Sequence, residues 1–122
     1  MDTNTTATWR VVSASTLKSD DVVNANDEKL GKIEDLMIDL GSGRIAYAVL
    51  SFGGFLGMGD KLFAIPWNAL SVDTDEKRFV LNVKKETLEK APGFDKDHWP
   101  NMADQKWGAS IYEYYGSEPF WN

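Results

Sequence analysis

Apolar residues along the chain follow two different periods, and the change between them divides it. From Thr16 to Val83 they fall in short alternating runs separated by Gly, Asn, Asp and Pro. That is the pattern of β-strands joined by tight turns in a small barrel or sandwich. Val22–Asn24 makes a first strand, closed by the turn-forming NANDEKLG, and Lys32–Asp39 makes a second. The second ends in LGSGR, where two glycines supply the positive-φ positions of a hairpin. Arg44–Phe52 is a third strand with two apolar faces, Ile45, Tyr47 and Val49 on one and Ala46, Ala48, Leu50 and Phe52 on the other. Such a strand lies centrally or beneath a covering segment. Lys61–Pro66 is a fourth, marked by Pro66 and Trp67 as bent or at a sheet edge. Ala69–Val72 and Arg78–Val83 flank the turn DTDEK, with Phe79, Leu81 and Val83 inward. KETLEKAPG then predicts one or two helical turns stopped by Pro92 and Gly93.

Residues 1–14 are rich in Thr, Asn and Ser and predict a flexible arm, with Trp9–Val12 as a candidate edge strand. Residues 93–122 change character. They carry Trp99, Trp107, Tyr112, Tyr114, Tyr115, Phe120 and Trp121. Ordering a chain costs about 1–2 kcal/mol per residue, so a segment this aromatic is expected to dock on something. Met102–Tyr115 fits a helix with Trp107, Ile111 and Tyr114 on one stripe. The domain reading is an arm over 1–14, a β-barrel over 15–92 and an aromatic docking tail over 93–122.

Between the third and fourth strands, SFGGFLGMGD packs four glycines into seven positions. A phosphate-binding loop of the Walker type requires a Lys where Asp60 stands, and a helix after it. The dinucleotide pattern fails as well, because Leu62 occupies the third glycine position. The loop therefore joins two strands, and its glycines serve backbone geometry. Phe55, Leu56 and Met58 are unusual for a loop tip, which is normally polar. Either they fold back over the barrel mouth or a partner covers them.

With 122 residues, the chain fits one compact domain plus tails. Its formal net charge of −6 argues against nucleic acid as the main ligand. The nearest basic cluster, Lys84, Lys85 and Lys90, is broken by Glu86 and Glu89 and reads as a solvated helix surface. There is no cysteine, hence no disulfide, thiolate chemistry or zinc ribbon. No secretory signal opens the sequence, and its longest apolar run is far below the roughly 18 residues of a membrane span. A soluble, cytoplasmic protein is expected. His98 is the single histidine. It lies beside Asp95 and Asp97 in what reads as a solvated turn. Asp73, Asp75 and Glu76 echo the start of a calcium loop, but Arg78 falls where the central glycine belongs. Among Glu34, Asp35 and Asp39, the last two share a strand face, yet an acid at a hairpin start is ordinary turn chemistry. No catalytic residue, metal site or cofactor is assigned.

The run from Lys29 to Ala91 resembles the PRC-barrel family, named after the cytoplasmic domain of the photosynthetic reaction-centre H subunit. The resemblance lies in KLGKIEDLMIDLGSGRIAYAVLSFGG, the glycine-rich hairpin, LFAIPWNAL and the closing strand followed by LEKAPGF. YYGSEPFW looks like the tail of stand-alone bacterial members. The resemblance implies a mostly β fold: a small, strongly bent antiparallel β-barrel with a short helix after its last strand. It also implies a docking module without catalytic residues. In the reaction centre such a domain is associated with a membrane complex. In a ribosome-maturation factor it follows a separate N-terminal domain and helps contact a ribosomal protein. The 122 residues predict neither a transmembrane helix nor that domain, so neither role is expected to carry over.

The expected function is a non-enzymatic protein–protein interaction module, self-associating as a dimer or larger homo-oligomer, or docking on a larger cytoplasmic complex. Its contact surface is expected to comprise Phe55, Leu56 and Met58 with Trp99, Trp107, Tyr114, Tyr115, Phe120 and Trp121. The alternative is a small-molecule-binding barrel whose pocket is formed by the aromatic tail and the glycine-rich hairpin. An enzyme acting through Asp35 or Asp39 is the third reading. A concave pocket with convergent polar groups would favour the second or third, and a flat apolar surface the first.

Overall fold

A computed structural model describes residues 11–52, 61–73 and 76–121. A short helix α1 (Ala14–Leu17) precedes β1 (Asp21–Val23), β2 (Lys29–Asp39), β3 (Arg44–Phe52) and β4 (Lys61–Pro66). After a 3-10 turn at Trp67–Ala69 come β5 (Leu70–Asp73), β6 (Arg78–Leu81), α2 (Lys85–Glu89) and α3 (Gln105–Tyr114). The third and fourth strands have the bounds expected from the sequence, and the others shift by a few residues at their ends. Helix α1 was not expected. Val11 and Val12 form no strand, and Trp9 lies outside the described residues.

All six strands form one sheet in the order β4-β3-β2-β1-β6-β5. The β4–β3, β3–β2, β2–β1 and β6–β5 pairs are antiparallel, and β1–β6 is parallel through Val22↔Phe79. The sheet is curled into a half-barrel. Trp67, directly after edge strand β4, meets Phe79 near the opposite edge with ring centroids 5.7 Å apart. The curl originates in β2. A bulge inserts an unpaired residue, bends its strand and increases the local twist. The register shifts at Val22/Val23, opposite Leu30, and again between Ile33 and Asp35. These two irregularities reset the two-residue alternation, so Leu30, Ile33 and Leu36, each three apart, all face the inner core. Leu50, Phe63, Phe79, Leu81 and Leu88 pack against them. The turns are held by side chains. In the β2–β3 hairpin Gly43 takes φ +74, and Ser42 donates its backbone N–H and hydroxyl to Asp39. Of the two glycines expected at positive φ, only Gly43 adopts it. Asn24, buried after β1, accepts from the Asn26 and Glu28 amides and donates to the Glu28 carboxylate.

Where β2 crosses β3, Gly31 leaves no room for a side chain. A Cβ there would lie 2.1 Å from the Ser51 carbonyl oxygen, a backbone atom that cannot yield alone. Gly31→Ala is therefore expected to destabilise the fold by about 1–3 kcal/mol. Gly41→Ala, whose Cβ would meet only the Asp39 carboxylate at 3.8 Å, should change it by less than about 0.5 kcal/mol. Urea denaturation of the two variants beside the parent protein tests the pair.

Candidate functional site

The outer face of β3 is as apolar as its inner face, and the C-terminal segment covers it. The register between β2 and β3 slips at Met37/Ile38, leaving Ala46 as an extra residue on β3. Ala46 and Tyr47 consequently both join the outer cluster, with Ala64, Ile111 and Tyr112. The Tyr112 hydroxyl donates to the carbonyl of the bulged Ala46 at 2.7 Å. The Tyr47 ring, 1% exposed, lies 5.4 Å from both Trp107 and Tyr112 and 6.2 Å from Phe120. Helix α3 approaches this closely because Gly108 faces Tyr47. A Cβ there would be 2.5 Å from the Tyr47 hydroxyl.

Local chemistry sets the ends of α3. The Asp104 carboxylate accepts the Lys106 amide at 2.9 Å as an N-cap. At the other end Gly116, at φ +69, makes a Schellman cap, with Gly116 N–H to the Glu113 carbonyl and Ser117 N–H to the Tyr112 carbonyl. The segment beyond is pinned through its backbone. Arg44 donates to the Phe120 carbonyl at 2.8 Å and Asn68 to the Glu118 carbonyl at 2.9 Å. Nearer β4, Phe94 and Leu62 exchange two backbone hydrogen bonds of 2.8 Å, which continue the ladder past the sheet edge.

Between this cover and the β2–β3 hairpin lies a cleft of about 670 Å³. Tyr47, Trp99, Phe120 and Trp121 supply its aromatic lining, with Met37 and Met102 beside them. Its polar lining is acidic or amide, from Asp39, Asn101, Asp104 and Gln105, and none of the described residues lining it is basic. The Ser42 hydroxyl, 2.6 Å away, holds the Asp39 carboxyl below its ordinary value. Ile38 and Leu40, 52% and 91% exposed, extend the apolar surface onto the hairpin. His98 pairs with Asp95 at 2.6 Å on the solvent side. The cleft is thus walled mainly by apolar and aromatic side chains, with these few polar groups among them.

Residues 10–88 match the model of the PRC-barrel domain. The chain belongs to the PRC-barrel family. The matched span includes the whole sheet of this PRC-barrel and ends within α2, so the segment covering β3 lies beyond it. No relative among curated proteins matches the chain. Among solved structures it is similar to a protein named for 16S ribosomal RNA processing, RimM, from Pseudomonas aeruginosa. That likeness has 17% identity and a TM-score of 0.42, over 66% of this chain and 48% of the other.

The expected site residues of the PRC-barrel separate into three groups. Trp99, Phe120 and Trp121 meet at the cleft, and Trp107 packs beside it on Tyr47. Tyr114 and Tyr115 lie toward α2, where the Tyr114 hydroxyl donates to the Thr87 carbonyl at 2.6 Å. Phe55, Leu56 and Met58 lie outside the described residues. The helix runs from Gln105 rather than Met102, and its buried residues are Gly108, Ile111 and Tyr112. Tyr114, placed on the buried stripe by periodicity, is 38% exposed. Sequence reasoning missed Ile38, Leu40 and Met37. Their signal was an apolar Leu40 inside the turn DLGSGR, where polar residues are usual.

Two tyrosine hydroxyls where the cover meets β3 differ in one respect. Tyr112 has a partner, whereas the Tyr47 hydroxyl is buried with none among the described residues. Tyr112→Phe, which strands the Ala46 carbonyl, should cost about 1–3 kcal/mol, and Tyr47→Phe should be neutral or stabilising. Thermal melting of both variants checks this. Burial also pushes the Tyr47 hydroxyl from 10.0 up to about 12, and raises Tyr112 and Tyr115. The unfolded chain then ionises first. The contribution of these tyrosines to stability should be level below pH 10 and be lost as pH rises from about 10 to 12, with Tyr47, Tyr112 and Tyr115 ionising as the fold opens. Urea midpoints against pH, with tyrosinate absorbance, measure it.

Proposed function

We propose that this PRC-barrel is a non-catalytic docking module that associates with a second copy of itself through the apolar end of the β2–β3 hairpin. The observation carrying this reading is the grouping of Leu40, Ile38 and Trp99, all exposed, beside one cleft. Isolated exposed apolar residues are ordinary, but a contiguous group beside a concavity marks an interaction surface. Family membership supports the same reading, since the family resemblance implies docking rather than catalysis. Asp39, one of the two acids weighed for catalysis, is engaged by Ser42 in the hairpin turn. A cytoplasmic setting suits the absence of cysteine, and no described helix is long and apolar enough to cross a membrane.

Sedimentation equilibrium at micromolar concentration should give at least twice the 13.7 kDa chain mass. The double variant Ile38→Ser, Leu40→Ser should reduce the mass toward that of one chain. Because both side chains are exposed, its melting temperature should stay close to the parent's. A parent protein that is monomeric at every concentration would overturn the proposal.

A further inference from the structure

The cleft has a chemical bias that the docking proposal does not use. Four aromatic rings line it, from Tyr47, Trp99, Phe120 and Trp121, and two carboxylates, Asp39 and Asp104, stand with them. An aromatic face carries negative quadrupole density and attracts an organic cation, tryptophan most strongly. The carboxylates act in the same direction. Among the described residues, no lysine, arginine or histidine lines the cleft. Arg44 stands opposite Asp39 in the β2–β3 register and donates its guanidinium to the Phe120 carbonyl, so its charge partly balances Asp39 at that end of the cleft. At 670 Å³ the space falls within the usual size of small-molecule sites, about 300–1,000 Å³. An anionic ligand would meet like charge here, and a strongly hydrated inorganic cation would find few oxygens and much apolar wall.

We infer that this cleft is a binding site for a small organic cation, an ammonium head carried on an apolar or aromatic body. Asp39 and Asp104 are held in place by the fold, the one by Ser42 and the other by the Lys106 amide. Each can therefore present charge without first being ordered by the ligand. Trp99, packed at a tilt against Phe94 with centroids 5.1 Å apart, supplies the most exposed of the four rings. Met37 and Met102 have flexible thioether side chains that adapt to the body of the ligand. Three of the rings and Asp104 come from beyond the span shared with the family, while Met37, Asp39 and Tyr47 lie within it, so the site exists only where the C-terminal segment meets the barrel.

The test is calorimetric titration of the full chain with benzyltrimethylammonium, benzyl alcohol and phenylacetate. The cation should bind saturably and more tightly than the neutral compound, and phenylacetate should bind least. In Asp39→Asn/Asp104→Asn the cation should weaken by about tenfold, the scale expected for losing two solvent-exposed ion pairs. Benzyl alcohol should be unaffected. Asparagine preserves both the helix cap and the turn hydrogen bonds, so this variant should keep the parent's melting temperature. Trp99→Ala should weaken both the cation and the neutral compound. No saturable binding of the cation, equal binding of the cation and benzyl alcohol, or indifference of the cation to the Asn pair would each overturn the inference. Ile38→Ser/Leu40→Ser, which tests self-association, alters two side chains at the hairpin end of the same cleft, whereas Asp39→Asn/Asp104→Asn leaves both in place. Loss of cation binding in the Asn pair at unchanged mass therefore separates failure of one proposal from failure of the other.

Discussion

A single bulged residue, Ala46, couples the sheet to everything laid over it. The extra residue gives β3 an outward carbonyl, which the Tyr112 hydroxyl satisfies, and places Tyr47 under the same helix. A buried carbonyl without a partner is costly, so the sheet requires a donor from outside it. The aromatic segment supplies that donor and the apolar area together. This explains how a strand with two apolar faces can lie in a sheet of only one curl. Its inner face is filled by the barrel core, and its outer face by residues 94–121.

The cleft follows from the same arrangement. Helix α3 starts only at Gln105, and the chain reaches it from the Phe94 bridge through an irregular stretch containing Trp99, Pro100 and Met102. That stretch stands off the hairpin end of β2 and β3 instead of packing flat on it, leaving the space bounded by Asp39 and Leu40 on one side and Asp104 on the other. Capping fixes the position of Asp104, and the hairpin turn fixes Asp39. Both carboxylates serve the backbone first, and their location at the cleft is a result of that service.

The strand pattern was legible because alternation, glycine and proline mark β-structure locally. Arg44–Phe52, with two apolar faces, pointed to a central place or a covering segment, and both hold: β3 lies between β4 and β2, and the C-terminal segment packs on its outer face. The bulges were not legible. Leu30, Ile33 and Leu36 look irregular under a two-residue period and become regular only when the extra residues are known. The parallel pairing of β1 with β6 was equally hidden, because Val22 and Phe79 are distant in sequence and nothing near either specifies the other. For the cleft, the aromatic half was visible in composition. The hairpin half was not, because a lone apolar residue in a turn acquires meaning only once the tail is seen beside it. Within α3, periodicity favoured Tyr114 over Tyr112, and the Gly108 contact with Tyr47 decided otherwise.

The pairing of Ala46 with Tyr112 also has a consequence in time. During synthesis the strands are all made before the residues that cover them, and at about 5–20 residues per second the interval is a few seconds. Throughout it the outer face of β3 has its inner neighbours but not its lid. A nascent half-barrel of this kind presents Tyr47, Val49 and Ala64 to whatever is nearby, including other chains on the same message. The late-arriving aromatic segment thus ends an interval of vulnerability as well as completing a core, and a stalled or shortened product would carry that sticky face permanently.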